Sequence, residues 1–411
     1  LADMPALTNL GSIFNNCTSL KSVPETFFAN QTEANSLTSG FFGCAALETL
    51  PAELFKNMTK LTNIASLFKG CANLKSLPEG LFDTLTEATN MNSLFSGCQT
   101  LETIPVDIFK NMTKITTASY LYEGCIKLTE FPSLKHCVAL KTIPALWKDC
   151  TQLETAPADY FPESVKNGTS AAYLFSGCTS LKTVPEDMFR HFEGTTIISE
   201  MFLNCTSLVS IDLPDSLAFL GRQETFKNTG LISIKIPAGV KGFGNTADSC
   251  SATQTVRLFE NCAYLTTIIM PASMTDFEIG GYVFTGCTAL KTIKAGENGE
   301  DNVLPGVTLV GQYAFTGCAI ESLDLPDVDT VGTYAFGVKS ADFNKGTYAT
   351  KLQSISMPKL TSFNTYLFSY ATELSQVTLG DDAEALSNYM FNGCASLETI
   401  TLPSKLTFLG T

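Results

Sequence analysis

Cysteine is the residue whose type and spacing in this sequence most readily suggest chemistry. The chain has 411 residues and 14 cysteines, and nearly all of these cysteines recur in one motif, F-x-G-C-x-x-L-x-x-I, in which another aromatic residue can replace the phenylalanine. The motif cysteines are Cys17, Cys44, Cys71, Cys98, Cys125, Cys137, Cys150, Cys178, Cys205, Cys262, Cys287, Cys318 and Cys394. Only Cys250 lies outside the motif. A thiol that recurs in this way is a metal ligand, half of a disulfide, a nucleophile or a packing group.

The spacing favours a packing role. Zinc sites use closely spaced cysteine pairs, and the motif cysteines are single residues about one repeat apart. Equivalent cysteines in stacked coils would lie about 4.8 Å apart, which a disulfide tolerates, yet Thr229 and Ala371 occupy the motif position in two units. We therefore expect a column of free, buried thiols, with disulfides or a metal site as the alternatives. Cys250, in an inserted polar segment, is the thiol that we would test for reactivity.

No other residues form a recognisable catalytic set. The chain has two histidines: His136 adjoins Cys137, but adjacent side chains rarely point at each other, and His191 is expected to face solvent. Nucleophile-elbow, Walker A and zinc-protease motifs are absent from the sequence. The acidic segments 296–302 and 380–384 lack a calcium-loop ligand pattern, so we expect solvated turns there. We expect neither an enzyme nor a cofactor or metal.

The cysteines belong to a repeat that runs through the chain. The segment "LFKGCANLKSLP" at 67–78 returns as "LFSGCQTLETIP" at 94–105, a period of 27 residues. One such unit is too short to bury its own apolar face, whereas stacked units bury a continuous core. The sequence therefore predicts an α/β solenoid.

Each unit contains signals for two elements. We interpret L-x-x-I as a short parallel strand that the following proline ends. The preceding segment, such as "MNSLFSGC", has helical apolar spacing and is predicted as a short helix or a 3₁₀ turn, with the aromatic residue filling the space behind the sheet. A second aromatic corner recurs at Phe28, Phe55, Phe82 and Phe109.

The array divides into two regions, 1–190 and 191–411, which we predict to form one continuous solenoid. In the first region the proline follows seven residues after the cysteine, and in the second usually nine, so the later strands should be longer by about two residues. Cys137 breaks the rhythm, and its segment occupies either the return limb of one coil or one of two compressed coils. The insertions 244–255, 296–302 and 338–350 are predicted to be surface loops.

Bulk properties exclude some functions. The net charge of −14 argues against binding nucleic acid through phosphate neutralisation. No apolar run is long enough to span a membrane. Both ends of the chain lie inside a repeat, so we expect that one or both ends are cut from a longer protein or adjoin a segment that is not ordered. We also expect a monomer.

The residues after the motif leucine form two rows that are the best candidates for binding. The first row alternates in charge and includes Lys75, Glu102 and Lys141, whereas the second carries mostly hydroxyls, including Thr142. The candidate binding residues are Thr49, Thr103, Thr155, Thr183, Lys75 and Glu102. Two interpretations of these rows stay open. They form either a soluble sheet surface whose charges neutralise each other or a polar recognition face for a protein or glycan.

The repeat resembles the BspA-like, or Treponema pallidum-type, leucine-rich repeat. The second region carries this resemblance best, in "FLNCTSLVSIDLP" (202–214) and "FNGCASLETITLP" (391–403). It implies a right-handed curved solenoid with parallel strands on the concave face and short helices or turns opposite. It also implies a bacterial cell-surface or secreted protein, a surface lipoprotein or an adhesin among them.

We therefore predict a non-enzymatic bacterial surface protein that binds a host extracellular protein or glycan and does not bind nucleic acid. One alternative is a rigid spacer that displays another domain. A remote alternative is an enzyme whose site lies at a broken repeat.

Overall fold

A computed structural model describes residues 4–165, 170–185, 188–189, 198–220, 223–244, 251–346 and 348–410. The chain divides into two compact units, unit 1 (Leu1–Thr206) and unit 2 (Ser207–Thr411). The change predicted between residues 190 and 191 lies outside the described residues and stays a prediction, as does the continuity of the solenoid. Each unit is itself a stack of coils.

In unit 1 the coils are joined by single-residue parallel bridges along two rows. The first row, ladder A, precedes the aromatic residue of the motif and consists of Asn9, Ser36, Asn63, Asn90, Thr117 and Thr142. The second row, ladder B, follows the motif leucine and contains the pairs Ser76–Thr103 and Thr155–Thr183. The asparagines of ladder A also start the next turn: the side-chain oxygen of Asn63 accepts the N–H of Ala65 at 3.0 Å.

The aromatic corner, for which the pattern left helix or 3₁₀ turn open, is a turn whose N–H groups bond the next coil. Ser66, Phe68 and Gly70 donate to Asn92, Leu94 and Ser96 of the following coil at 2.7 to 3.0 Å. The corner has two left-handed residues, Ser66 (φ 56°) and Gly70 (φ 75°). Left-handed φ values favour glycine, which explains the glycine before the cysteine.

Stacked aromatic rings fill the interior of unit 1. Phe41, Phe68 and Phe95 are fully buried, and their centroids lie 5.6 and 6.1 Å apart. The second predicted corner, Phe28, Phe55, Phe82 and Phe109, is also buried, with ring separations of 6.0 to 6.3 Å. Burial of each ring contributes roughly 1.5–3 kcal/mol, so these two columns account for much of the stability of unit 1.

The segment around Cys137 lies in the return limb of one coil, which was the preferred of the two interpretations. Thr142 bridges Thr117 of the preceding coil in ladder A, and the Cys150 thiol donates to the carbonyl oxygen of Tyr122 at 3.2 Å. Cys150 therefore follows Cys125 in the thiol column, and Cys137 lies between them along the chain. The described part of unit 1 includes a 3₁₀ turn at Glu163–Val165.

Unit 2 replaces the single bridges with strands. The strands that follow the motif leucine form two parallel sheets, with orders β1-β3-β5 and β10-β9-β7. Their bounds are β1 Ser233–Lys235, β3 Thr267–Met270, β5 Thr292–Ala295, β7 Ser322–Asp324, β9 Ser354–Met357 and β10 Gln376–Leu379. These strands have three or four residues, and the difference of about two residues between the two predicted regions stays a prediction.

A second set of strands in unit 2 precedes the aromatic corner or lies beside it. Parallel pairing joins β2-β4-β6-β8 and, separately, β11-β12. Their bounds are β2 Gly242–Phe243, β4 Phe277–Ile279, β6 Val307–Val310, β8 Thr330–Val331, β11 Ala385–Leu386 and β12 Phe408–Leu409. The described part of unit 2 has one α-helix, α1, at Ser340–Asn344. No helix among the described residues is long and apolar enough to cross a membrane.

The insertions in unit 2 are only partly surface loops. Asp301 pairs with Lys294 of β5, and Val303 pairs with Asp324 of β7. Residues 301–303 therefore form one extra bridging segment between these two strands, which we call the 301–303 rung. The prediction of a simple surface loop is wrong here, because the backbone of Asn302 bonds strands on both sides. In the 338–350 insertion, the Tyr348 hydroxyl lies 3.3 Å from the side-chain oxygen of Asn261, so this segment reaches back across other coils.

Candidate functional site

The six candidate binding residues are exposed in unit 1. They are Thr49, Thr103, Thr155, Thr183, Lys75 and Glu102. The backbone holds them in line: the Glu102 N–H donates to the Lys75 carbonyl at 2.9 Å, and the Thr183 hydroxyl donates to that of Thr155 at 3.2 Å. Thr103 is bridged to Ser76 of the neighbouring coil. Short polar side chains thus protrude from a backbone that has little freedom, and their role in binding stays a prediction.

Two residues assigned to these rows lie elsewhere. Thr142 belongs to ladder A, where it bridges Thr117, and the Lys141 N–H donates to the Thr116 carbonyl at 2.9 Å. The local motif around Cys137 resembles the others, but the neighbouring coil determines which side of the solenoid it occupies. The exposed row is therefore interrupted between Glu130 and Glu154.

Acidic side chains of the exposed row form ion pairs with lysines of neighbouring coils. Lys127 contacts Glu102 at 3.1 Å and Lys182 contacts Glu154 at 2.9 Å, with about half of each side chain exposed. Exposed ion pairs contribute about 0–1 kcal/mol. The pairs therefore leave the face nearly neutral, which fits both interpretations of this row.

The motif cysteines have a structural role that includes hydrogen bonding. All thirteen are free, and most are buried. The Cys71 thiol donates to the carbonyl oxygen of Phe41 in the preceding coil at 3.2 Å, and the Cys98 thiol donates to that of Phe68 at 3.2 Å. The expected column of buried thiols is confirmed, and eleven of the thirteen thiols also donate to a carbonyl oxygen of another coil.

Thr229 occupies the cysteine position in one unit. Its hydroxyl donates to the carbonyl of Phe226 in the same coil at 2.9 Å and lies 3.2 Å from the Cys262 sulfur of the next coil. Desolvation by burial raises the pKa of Cys44 to about 11 and that of Cys98 well above its usual range. Because nucleophilic attack requires the thiolate, these thiols are poor candidates for catalysis.

The histidine and acidic candidates provide no catalytic site among the described residues. Cys137 is buried while the adjacent His136 is exposed, so the two do not form a catalytic pair. His191 and Cys250 lie outside the described residues. The described part of the chain contains no group of three or more potential metal-ligating side chains.

The two acidic turns form internal contacts. In the first, Asp301 pairs with Lys294 at 2.9 Å and Glu297 pairs with Lys235 at 2.9 Å. In the second, the backbone N–H and hydroxyl of Ser404 donate hydrogen bonds that lower the pKa of Asp381. These carboxylates are exposed but already have partners within the fold.

A polar groove in unit 2 was missed by the sequence analysis. It has a volume of about 260 Å³ and lies over β7, β9 and β10, with the 301–303 rung along one side. The outward residues are Ser322 and Asp324 on β7, Ser354 and Ser356 on β9, and Gln376 and Thr378 on β10. The strict alternation in "SLDL", "SISM" and "QVTL" is the signal that could have identified these residues.

A column of tyrosines in unit 2 was also missed. Tyr282, Tyr313, Tyr334, Tyr366 and Tyr389 stack with centroid separations of 4.8 to 5.0 Å. The Arg257 guanidinium covers the Tyr282 ring at 4.8 Å. Because stacking hides the ring faces, the column offers mainly ring edges to a ligand. The recurrent Y-x-F before the cysteine, as in "YVF" and "YAF", could have revealed it.

Stacked coils built on a recurrent leucine motif, with parallel strands, define a leucine-rich repeat protein. The family model described as "BspA type Leucine rich repeat region (6 copies)" matches residues 65–184, 169–258, 256–345 and 343–411. The chain belongs to this family of BspA-type leucine-rich repeat proteins, as the motif resemblance predicted.

The first of three similar solved structures gives the same fold. A leucine-rich repeat protein from Bacteroides ovatus is 18% identical, with a TM-score of 0.60, over 98% of this chain and 94% of that one. A leucine-rich cell surface protein from Faecalibacterium prausnitzii is 19% identical, with a TM-score of 0.38, over 86% and 82%. The T. pallidum leucine-rich repeat protein is 20% identical, with a TM-score of 0.30, over 52% and 76%. The comparison with curated proteins gave no match.

Proposed function

We propose that this protein is a non-enzymatic bacterial surface or secreted protein that binds an extracellular macromolecule of a host, a protein or a glycan, and so mediates adhesion. Membership of the BspA-type family supports an interaction role. Binding takes place on the outward side chains that follow the motif leucine in successive coils.

One observation carries this proposal: short polar side chains are exposed on a backbone already fixed by bonds between coils. Thr155 and Thr183 are both exposed, and their coils are joined by a parallel bridge. A ligand that contacts such a row orders few additional groups, so little conformational entropy is lost on binding. Ion pairing within the face leaves it nearly neutral, which favours ligands bound through hydrogen bonds.

The test replaces the four threonines of this face together by lysine. Thr49, Thr103, Thr155 and Thr183 form the site variant, and its binding to arrays of purified extracellular matrix proteins and mammalian glycans is compared with that of the unaltered chain. We expect binding at least tenfold weaker, because bulky charged side chains displace the hydrogen-bonding partners.

A matched control exists in the same unit. Thr32, Thr59, Thr86 and Thr113 are also exposed and lie one coil apart on the return limb, whereas the site threonines lie one or two coils apart. Their replacement by lysine adds the same charge and should leave binding unchanged, with both variants folded by circular dichroism. Equal binding of the site variant and the control variant would reject this face as the binding site.

A further inference from the structure

The groove in unit 2 is formed by a difference in side-chain size across one sheet. Ser354 on the central strand β9 pairs in register with Ser322 on β7 and Gln376 on β10. Ser356 pairs in the same way with Asp324 and Thr378. Ser354 is as short as Ser322 in the first row, and Ser356 is the shortest member of the second row, so the surface is low along β9.

The 301–303 rung closes one side of this depression. Val303 is bridged to Asp324, and the Asp324 N–H donates to the Asn302 carbonyl at 2.8 Å. The β1-β3-β5 sheet differs in its second outward row, which contains Lys235, Ile269 and Lys294. Its first outward row, Ser233, Thr267 and Thr292, is short, so long side chains cover only one of its two rows.

The polar groups of the groove are not used within the fold. Among the described residues, the side chains of Ser322, Asp324, Ser354, Ser356, Gln376 and Thr378 have no hydrogen-bond or ion-pair partner in the protein. By contrast, the Asn302 side chain is occupied by the backbone of Lys291 and Ile293. The six free groups offer one carboxylate, one amide and four hydroxyls to a ligand.

These groups indicate the chemistry of the ligand. The lining residues include no lysine or arginine, so an anionic ligand would meet the Asp324 charge without compensation. Asp301, the other lining carboxylate, is paired with Lys294 at 2.9 Å. The floor of the groove has no free strand edge, since β9 lies between β10 and β7 and the rung covers β7. A peptide therefore cannot bind in the groove by adding a strand to β9.

We propose that this groove binds a neutral saccharide, a mono- or disaccharide unit of a larger glycan. Neighbouring hydroxyls of the sugar donate to Asp324, while the serines and Gln376 bond further hydroxyls. Val303, the part-exposed apolar residue of the lining, supplies apolar contact for the C–H face. The inference rests on the proposed function, because it gives the ligand class for one part of the outward strand surface.

The experiment measures saccharide binding to the full chain by saturation-transfer NMR and calorimetry. The probes are lactose, cellobiose, maltose and chitobiose, with a sulfated disaccharide and a lysine-rich peptide as the charged probes. We expect at least one neutral disaccharide to bind and the sulfated disaccharide not to bind.

Two variants locate the binding in the groove. Ser354→Leu fills the depression and should abolish binding. Asp324→Asn keeps the shape but removes the charged acceptor, and we expect binding about tenfold weaker, the value typical of a hydrogen bond to a charged group. Thr267→Leu, at the corresponding position of the β1-β3-β5 sheet, is the control and should bind as the unaltered chain does.

Three outcomes would overturn the inference: no neutral disaccharide binds, only the lysine-rich peptide binds, or Ser354→Leu binds as the control does. If the array binding still depends on the threonine row of unit 1 in that case, only the groove assignment fails. If array binding is also insensitive to that row, the proposed function fails as well.

Discussion

Units 1 and 2 have the same corner but different connections between coils. In both, an aromatic residue is buried behind a turn with two left-handed residues. In unit 1 the neighbouring coils pair through single-residue bridges, whereas in unit 2 the corresponding segments are strands of two to four residues. The corner is therefore the constant element of this repeat, and strand length can vary around it.

The first left-handed position of the corner shows the same contrast. In unit 1 it is mostly a small residue, such as Ser66 or Ser93, and in unit 2 it becomes a stacked tyrosine, such as Tyr313 or Tyr334. The tyrosine rings contact each other at about 5 Å. Unit 1 relies instead on its second buried phenylalanine column.

Alkaline pH should produce the largest difference between the units. Among the described residues, eight buried motif thiols lie in unit 1 and three in unit 2. Burial raises the pKa of Cys44 from 9.0 to about 11, and the other buried thiols of unit 1 shift in the same direction. Below pH 9 the thiols are protonated in the folded and in the unfolded chain. Above pH 9 the thiols of the unfolded chain lose their protons, whereas the buried thiols of the folded chain keep theirs. Stability should therefore fall by up to about 1.4 kcal/mol per pH unit for each thiol.

The measurement is denaturant unfolding at pH 8, 9 and 10, with hydrogen exchange resolved by unit. The interval from pH 9 to 10 lies below the ordinary pKa of tyrosine, so thiols dominate the change. In Cys98→Ser, which keeps a donor but does not titrate there, the slope in unit 1 should be smaller. Equal slopes in the two units would contradict the prediction.

Removal of an aromatic ring from the shared corner should be severe in both units. Phe68→Ala in unit 1 and Phe284→Ala in unit 2 each delete a fully buried ring that stacks on both neighbours. We expect a loss of about 3–5 kcal/mol in each case, measured by chemical denaturation. If one unit tolerated the change, the corner would not be the common element.

Glycine at the first left-handed position should have opposite effects in the two units. Ser93 (φ 54°) and Tyr334 (φ 57°) have the same backbone conformation. Ser93→Gly removes strain and should stabilise unit 1 by at most about 1 kcal/mol. Tyr334→Gly removes the same strain but loses two ring stacks, each worth about 0.5–1.5 kcal/mol, together with buried area.

Thermal unfolding measures both changes, and Tyr334→Phe, which retains the ring, is the control. A loss of stability in both glycine variants would mean that the Ser93 side chain also makes a stabilising contact.

The smallest effect should come from the charged row. Lys182→Met breaks the ion pair with Glu154, in which more than half of each side chain is exposed. We expect a change within about 0.5 kcal/mol in the free energy of unfolding, by denaturant titration in low salt. A loss above 2 kcal/mol would give these charges a structural role that their exposure does not support.

Much of the fold was predictable because each coil repeats the same local signals. The motif leucine, the aromatic residue and the cysteine predicted the stacked coils and the buried thiols. The thiol-to-carbonyl hydrogen bonds were not predictable, because each joins residues about 30 positions apart in different coils. The groove required two facts from different repeats: the register of β9 with its neighbours, and the return of the 301–303 segment into the sheet.

The sequence by itself determined that a single coil has no stable fold and that stacking must bury the aromatic and cysteine side chains. It also determined which residues alternate along each strand. The tertiary structure alone decided which coil face a motif occupies. Thr142 has the local sequence of ladder B but lies in ladder A, because the preceding coil provides the backbone partners there. Local residues specify a turn or an extended segment, whereas side and register depend on hydrogen bonds that only the neighbouring coil can supply.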